Sequence, residues 1–155
     1  MSLQSSKRAT LFLCTHNAAR SQIAEALLRH HGGDDFEVYS AGTSPTELHP
    51  LTKMVMREVG IDVATQRAKG VDAYLGKLSV AYLIIVCEQT ETQCPKIWPG
   101  ALQREFWPFA DPLSAPAEQQ LQSFREVRDA IEERIIEWLK QKTLLTKESA
   151  YGIDN

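Results

Sequence analysis

The feature that most constrains this fold is an unbroken apolar run at residues 80–86, Val-Ala-Tyr-Leu-Ile-Ile-Val. A strand without polar alternation has no face suited to water, so it predicts a sheet that is covered on both faces. A shorter apolar run at residues 10–13 follows a polar start and predicts a second buried strand. The first run ends on Cys87 and the second on Cys14. The two runs therefore predict a parallel sheet in which buried strands end at cysteines.

Apolar periodicity and glycine or proline boundaries divide the rest of the chain into alternating strands and helices. This alternation predicts a three-layer α/β/α fold with a parallel sheet, in one domain over residues 8–142 with flexible tails at 1–7 and 143–155. Two further strands are predicted at residues 36–40, closing on Gly42, and at 106–109, where Pro108 weakens the pattern. Helices are predicted over residues 20–32, 50–60, 71–78 and 117–142.

Composition excludes several classes of function. A chain of 155 residues with 43% hydrophobic and 24% charged residues suffices for one globular domain with a real core. The net charge of −3 argues against nucleic acid as the main partner. No run approaches the roughly 20 apolar residues of a membrane span, and the polar start lacks the apolar part of a signal peptide. We therefore expect a cytoplasmic protein. Its three cysteines are either buried as apolar residues or take part in a reaction.

The segment after the strand predicted at residues 10–13 has the residues of an oxyanion-binding loop. Cys14 is followed six residues later by Arg20 and then by Ser21. A helix N-terminus and a nearby cation favour a thiolate, and a guanidinium can bind two oxygens of a tetrahedral anion at once. Ser21 can hydrogen-bond the sulfur, and Asn17 tolerates the left-handed conformation of a tight loop. The backbone N–H groups expected to surround the anion belong to Thr15, His16, Asn17, Ala18 and Ala19.

An ordinary strand-to-helix turn with a buried cysteine is the alternative for this segment. Its place between a buried strand and an amphipathic helix favours the oxyanion loop, because ligands bind where parallel strands end and helices begin. We therefore predict that Cys14 attacks a bound phosphate or arsenate.

These residues resemble the signature of the low-molecular-weight protein tyrosine phosphatase superfamily, and the similarity covers roughly residues 8–140. The resemblance implies a central four-stranded parallel sheet and a cysteinyl-oxyanion intermediate. It also implies that Asp111 is the general acid that protonates the leaving oxygen. Taken without the resemblance, Asp111 before Pro112 is equally well a turn aspartate. The resemblance is carried by residues 11–25, 40–42, 49–50, 58–62 and 111–112.

Cys87 and Cys94 are seven residues apart, on one face of the intervening segment if that segment is helical. Their Cα atoms would then be roughly 10.5 Å apart, at 1.5 Å per residue. A disulfide needs a Cα separation within about 7 Å, so bridging them would require the segment to unwind. One core cysteine and one surface cysteine is the alternative interpretation.

This cysteine pair is similar to that of the thioredoxin-coupled arsenate reductases, which share the phosphatase fold. The resemblance implies a relay in which Cys14 attacks arsenic, Cys87 attacks Cys14, and Cys94 attacks Cys87. Thioredoxin then reduces the disulfide, and Asp111 assists the loss of water in the first step. All three cysteines of the chain would be used.

Some positions depart from the family patterns. The tyrosine phosphatases place aromatic residues after Asp-Pro, whereas this chain has Leu113 and Ser114, which argues against a phosphotyrosine substrate. A second loop cysteine is frequent in both groups, and here that position is Ala19. His16 replaces a frequent glycine, and we expect its backbone to matter more than its ring.

A potassium ion supports the loop in some of the reductases. The resemblance implies that it is bound by the counterparts of Asn17, Glu25 and Ser40 together with an acidic residue near position 69. This chain has Lys69 there, whose ammonium could occupy the place of the ion. We therefore expect Asn17 and Ser40 to support the loop and predict no metal site and no cofactor.

Two other functions stay open at this stage. One is the hydrolysis of a phosphomonoester through a Cys14 phosphocysteine, and the other is a non-catalytic module that binds an oxyanion or a partner on the same scaffold. The leading hypothesis is reduction of arsenate by a monomer with thioredoxin as its reductant and with no membrane or nucleic-acid partner.

Overall fold

The computed structural model of this chain describes residues 8–88 and 100–152, with side chains described as far as residue 142. The described residues form strands and α-helices joined by loops and short 3₁₀ turns. In chain order the main elements are β1 (Arg8–Cys14), α1 (Arg20–Gly32), β2 (Phe36–Gly42), α2 (Pro50–Glu58), β3 (Val80–Ile85), β4 (Ala101–Phe106) and α3 (Gln120–Gly152).

The strands form one parallel sheet of four in the order β2-β1-β3-β4. The chain passes from β1 to β2 on one side and later to β3 on the other, so the strand order reverses between β1 and β3. Loops that follow strand ends diverge at such a reversal and leave a crevice in which ligands bind. Leu13 pairs with Ile85, which puts Cys14 at this crevice. The predicted α/β class and the four parallel strands are confirmed.

The two apolar runs form the middle of the sheet because neither has a polar face to turn toward water. Leu11, Phe12 and Leu13 of β1 are completely buried, as are Leu83 and Ile84 of β3. Fully burying one such side chain contributes about 1.5–3 kcal/mol. The strand that ends at Cys14 is therefore held on both faces by packing.

The apolar stripe of α3 covers the sheet as the periodicity predicts. Phe124, Ile131, Ile135 and Trp138 are buried along the helix, and the ring of Trp138 lies 5.9 Å from that of Trp107. Stripes of this spacing occupy one face of a helix, so α3 packs on the body of the fold from Phe124 to Trp138. Within residues 8–88 and 100–152, no helix is both long and apolar enough to cross a membrane.

The last strand lies upstream of its predicted position at residues 106–109, which is therefore a wrong prediction. Strand β4 ends at Phe106. Backbone hydrogen bonds from Trp107 to Ile85 (2.8 Å) and from Phe109 to Val86 (3.4 Å) continue beside β3, but Pro108 between them has no N–H to donate. Strand β4 lies at the edge of the sheet and is largely exposed, so it lacks the apolar pattern of a buried strand.

The short helix predicted over residues 71–78 is also wrong. Only the 3₁₀ turn Val71–Ala73 forms there. Gly76 has a φ of 77°, in the left-handed region, which interrupts a right-handed helix.

The C-terminal end of the last helix differs from the boundary predicted from the sequence. Helix α3 continues to Gly152, beyond the end of the apolar stripe at residue 142. Residues 1–7 lie outside the described residues, and the flexibility of both tails stays a prediction.

The start of α2 is tied to the loop that follows β1. The Nδ1 atom of His49 accepts a hydrogen bond from the backbone N–H of Leu51 at 3.1 Å, and its ring stacks on Phe124 at 5.1 Å. The backbone N–H of His49 donates to the carbonyl of Ala18 at 3.1 Å. Burial lowers the pKa of His49, which favours the neutral ring that can accept at Nδ1.

We expect this cap to make stability depend on pH. Because the folded pKa of His49 lies below 6.5, the stability it contributes is present above pH 6.5 and is lost as the pH falls through the lowered pKa. Thermal unfolding followed from about pH 7.5 to about pH 5, which spans the histidine range, should show this loss. His49→Asn keeps a capping acceptor without a titrating group, so its melting temperature should fall less. An equal fall in both proteins would contradict this assignment.

Candidate active site

The sulfur of Cys14 lies at the carboxyl end of β1 and is only 3% exposed. The backbone N–H of Asn17 donates to Sγ at 3.3 Å, and Oγ of Ser21 lies 2.9 Å from Sγ. Ser21 already accepts a hydrogen bond from Nδ2 of Asn17 at 2.8 Å, so its own hydrogen is available to the sulfur. Two hydrogen-bonding groups and the N-terminus of α1 therefore face the sulfur of Cys14, and Ser21 makes the contact expected of it.

The carbonyl groups of the loop from Thr15 to Ala19 are all engaged by donors outside the loop. A carbonyl oxygen that faced the loop centre would repel an anion, whereas successive N–H groups attract it. The donors are, in order along the loop, the N–H of Ser44 for Thr15 (2.8 Å), the N–H of Thr46 for His16 (3.1 Å), the side chain of Gln22 for Asn17 (3.0 Å), the N–H of His49 for Ala18 (3.1 Å) and the N–H of Ile23 for Ala19 (2.8 Å).

Asn17 takes the left-handed conformation expected of it, with a φ of 52°. Its fully buried side chain holds that conformation from both ends of the amide. The Oδ1 atom accepts from the backbone N–H of Lys69 at 2.7 Å and from Gln22 at 3.0 Å. The Nδ2 atom donates to Ser21 and, at 2.9 Å, to Ser40. Since each amide atom has partners of the matching type, the orientation of Asn17 is determined.

Ser40 extends this network to a buried carboxylate. Its hydroxyl donates to Oε1 of Glu25, so it can only accept from Asn17. The hydrogen bonds therefore run outward from Nδ2 of Asn17 in two directions, through Ser40 to Glu25 and through Ser21 to Cys14. Every buried side-chain nitrogen and oxygen among the described residues has a hydrogen-bond partner. The network connects Asn17 and Ser40 to the loop, and their role in supporting it stays a prediction.

Lys69 occupies the place where the family resemblance would put a potassium ion. Its ammonium nitrogen is 3.4 Å from Oγ of Ser40 and 3.6 Å from Oε1 of Glu25. It also donates to the carbonyl of Arg67 at 2.8 Å. A potassium ion using Ser40 and Glu25 would lie against this ammonium and be repelled by it. The residues present do not fit a potassium ion.

Arg20 joins the loop to the segment that carries Asp111. The guanidinium is buried, donates to the carbonyl of Phe109 at 3.0 Å and lies 4.0 Å from Oδ2 of Asp111. The Oδ1 atom of Asp111 caps the following turn by accepting from the N–H of Leu113 at 3.0 Å. The backbone N–H of Asp111 reaches Oε1 of Glu88 at 3.4 Å. With its side chain 32% exposed, Asp111 can meet a ligand at the loop.

Cys87 lies at the neighbouring strand end. Its side chain is completely buried, and its Sγ is 3.8 Å from the carbonyl oxygen of Leu13, the residue before Cys14. The sulfur of Cys87 is disulfide-bonded, whereas Cys14 is a free cysteine. Cys94 lies outside the described residues, and so does the helix considered between the two cysteines.

Residues 9–150 match the family model of the low molecular weight phosphotyrosine protein phosphatases. This chain belongs to that family. The family named from the loop and Asp-Pro motifs is thereby confirmed.

Several relatives of this phosphatase-family chain are arsenate reductases. The arsenate reductase of Bacillus licheniformis is 41% identical over 133 residues, which are 84% of this chain and 94% of that protein. A solved arsenate reductase in the phosphate binding state superposes with a TM-score of 0.73 at 28% identity, covering 86% of this chain and 98% of that one. The thioredoxin-dependent arsenate reductase of Corynebacterium glutamicum gives 0.69 at 32% identity, covering 92% of this chain and 65% of that one.

Two residues of this family member's site were missed by sequence reasoning. Gln22 is completely buried and binds Asn17 and the carbonyl of Arg67; it shares its helix face with Glu25 and Arg29, so no apolar pattern in the sequence marked it as buried. Glu88 had no signal, because its contact with Asp111 depends on the tertiary structure. His16 is exposed, with Nδ1 3.1 Å from the carbonyl of Ser44, so the structure shows a contact for a ring to which the sequence assigned none.

Gly42 lets β2 pass directly against the loop. A Cβ at this position would lie 2.5 Å from the carbonyl oxygen of Thr15 and 2.9 Å from the backbone nitrogen of Asn17. Such approaches do not occur without a shift, and both neighbours are backbone atoms. Only glycine therefore fits where β2 ends, a role that its place after the predicted strand did not reveal.

We expect Gly42→Ala to displace the loop, costing about 1–3 kcal/mol of unfolding free energy, as overpacking does. Phosphate affinity should fall at least tenfold, because the donors around the anion no longer converge. Gly70→Ala is the matched control, since its Cβ would come no closer than 3.4 Å to Pro45. Denaturant unfolding and phosphate titration measure both effects. A Gly42→Ala protein that binds phosphate like the Gly70→Ala protein would refute this role.

Proposed function

We propose that this chain reduces arsenate to arsenite through a Cys14 adduct and a relay of Cys14, Cys87 and Cys94, with thioredoxin as reductant in the cytoplasm. The observation that carries the proposal is the pair of sulfurs at adjacent strand ends. Cys14 lies in an oxyanion loop at the end of β1, and Sγ of Cys87 is 3.8 Å from the carbonyl next to it. Hydrolysis of a phosphomonoester through Cys14 would require only that one sulfur.

In the first step the thiolate of Cys14 attacks arsenic and forms an S–As bond. The backbone N–H groups of the loop and the guanidinium of Arg20 hold the oxygens and stabilise the charge that develops on them. One oxygen leaves as water after taking a proton from Asp111. The position of Asp111 beside Arg20, at 4.0 Å, supports this role because the two groups would contact the same anion.

In the second step the thiolate of Cys87 attacks Sγ of Cys14. The S–As bond breaks, its electron pair stays on arsenic, and arsenite leaves while a Cys14–Cys87 disulfide forms. Cys94 then attacks Cys87 and releases the thiolate of Cys14, and the dithiol of thioredoxin supplies two electrons to the remaining disulfide.

Similarity to named arsenate reductases supports the substrate. The relative at 41% identity is an arsenate reductase, and one structural neighbour is a thioredoxin-dependent arsenate reductase. The residues after Asp111 agree, because Leu113 and Ser114 stand where the tyrosine phosphatases carry aromatic side chains.

Hydrolysis of phosphomonoesters is the second candidate, favoured by the loop itself. Cys14, Arg20 and Asp111 would serve phosphate as well as arsenate, because the two anions share shape and charge. In this reaction Cys14 forms a phosphocysteine, Asp111 protonates the leaving alcohol and water releases phosphate. Cys87 and Cys94 take no part.

A Cys87→Ser variant separates the two reactions. We expect arsenate-dependent oxidation of thioredoxin to vanish, because no second thiolate can displace arsenite, whereas slow hydrolysis of an aryl phosphate persists. Cys14→Ser is the control and should lose both. Arsenate turnover that survives in Cys87→Ser would disprove the relay, and purified wild-type protein that never oxidises thioredoxin with arsenate would disprove the proposed function.

Asp111→Asn tests the general acid. Loss of a positioned acid costs about 100-fold or more in turnover, and the loss should be larger for phenyl phosphate than for p-nitrophenyl phosphate, whose leaving group needs less protonation. Asp72→Asn, an exposed aspartate in the turn Val71–Ala73, is the matched control and should leave both rates unchanged. Equal losses on the two esters would show that Asp111 is structural rather than an acid.

A further inference from the structure

A cavity of about 480 Å³ lies beside β2, and none of the described residues of the Cys14 loop lines it. Its charged walls are formed by Arg29, Arg67, Lys69 and Glu25, and its aromatic wall includes Tyr39 and Tyr74. Three cations therefore line the cavity against one carboxylate. Nothing in the reaction proposed above uses this space.

The one carboxylate in the wall is already occupied. Glu25 accepts from Arg29 at 2.6 Å and from Ser40, and its Oε1 is 3.6 Å from the ammonium of Lys69. Arg67 is exposed, and its guanidinium makes no hydrogen bond or ion pair with any residue in the described part of the chain. The cavity therefore has positive charge and donor groups that no neighbouring carboxylate satisfies.

Lys69 is the cation of this wall that is held most deeply. Burial lowers the pKa of its ammonium, Glu25 opposes that shift, and the nearby Arg29 and Arg67 add a smaller lowering. Like charges held together in a partly buried space are stabilised when an anion enters it. The arrangement is one that a bound anion would relieve.

The hydroxyl of Tyr74 is a further donor. It makes no hydrogen bond within residues 8–88 and 100–142, and burial raises its pKa, so it keeps its proton. Its ring meets that of Tyr39 edge to face at 5.2 Å. Tyr39 itself donates to Glu37 at 2.6 Å. Arg67 and Tyr74 therefore offer donor groups to this cavity that an acceptor on a ligand could bind.

We propose that this cavity binds a small multivalent oxyanion, either a phosphate or a polycarboxylate, held by Arg67, Lys69 and Tyr74. It is a second anion site, distinct from the loop that holds the anion attacked by Cys14. Lys69 connects the two, since its ammonium reaches Ser40 and Glu25 beneath the loop. The proposal does not depend on arsenate being the substrate.

Equilibrium dialysis of the reduced full-length chain with labelled phosphate, at constant ionic strength, counts the sites. We expect two phosphates per wild-type chain, one for Arg67→Gln, one for Arg20→Ala and none for the double variant. Arg57→Gln, an exposed arginine on α2 that does not line the cavity, is the matched control and should keep both. Tyr74→Phe should weaken the second phosphate about tenfold, as expected for one hydrogen bond to a charged group.

Citrate distinguishes the two sources of the anion. If citrate displaces the phosphate that Arg20→Ala retains, the site accepts polycarboxylates; if it displaces none, the site is specific for phosphate. One phosphate per wild-type chain, or an unchanged count in Arg67→Gln, would overturn the proposal. Failure of arsenate turnover would not affect it, because the count is made without a reaction.

Discussion

The site depends on hydrogen bonds that hold the carbonyl of every residue from Thr15 to Ala19 away from the loop centre. A peptide group presents either its N–H or its carbonyl oxygen to a given point, so an anion site requires the oxygens to have partners elsewhere. The segment between Gly42 and Pro50 supplies most of those partners. Because Gly42 has no side chain, that segment can lie directly against the loop.

The parallel sheet explains why Cys14 and Cys87 lie at neighbouring strand ends. Strands β1 and β3 are neighbours although the chain between them forms β2 and α2, so residues far apart in sequence end at the same edge. Both strands are buried on both faces and cannot shift relative to each other without opening the core. Chemistry that passes from Cys14 to Cys87 would thus take place at the ends of two closely packed strands.

Beneath the loop, charge is arranged in two layers. The inner layer runs from Glu25 through Ser40 and Asn17 to Cys14 and leaves no buried polar side-chain atom of the described residues without a partner. The outer layer, with Lys69 and Arg67, has more positive charge than the single carboxylate balances. This difference separates a network that stabilises the loop from a cavity that attracts an anion.

The sequence by itself determined the buried strands, the three α-helices and the place of the loop between them, because each depends on local pattern: unbroken apolar runs, helical periodicity, and Cys14 with Arg20 at a strand-to-helix junction. Only the tertiary structure decided the edge strand β4, whose exposed residues have no apolar pattern, and the contacts of Gly42 and Glu88. Those contacts join segments that are distant in the chain, and no spacing within one segment records them. The identity of the reactive loop was therefore local information, whereas the outward turn of its carbonyls was settled by the packing of β2 and the residues after it.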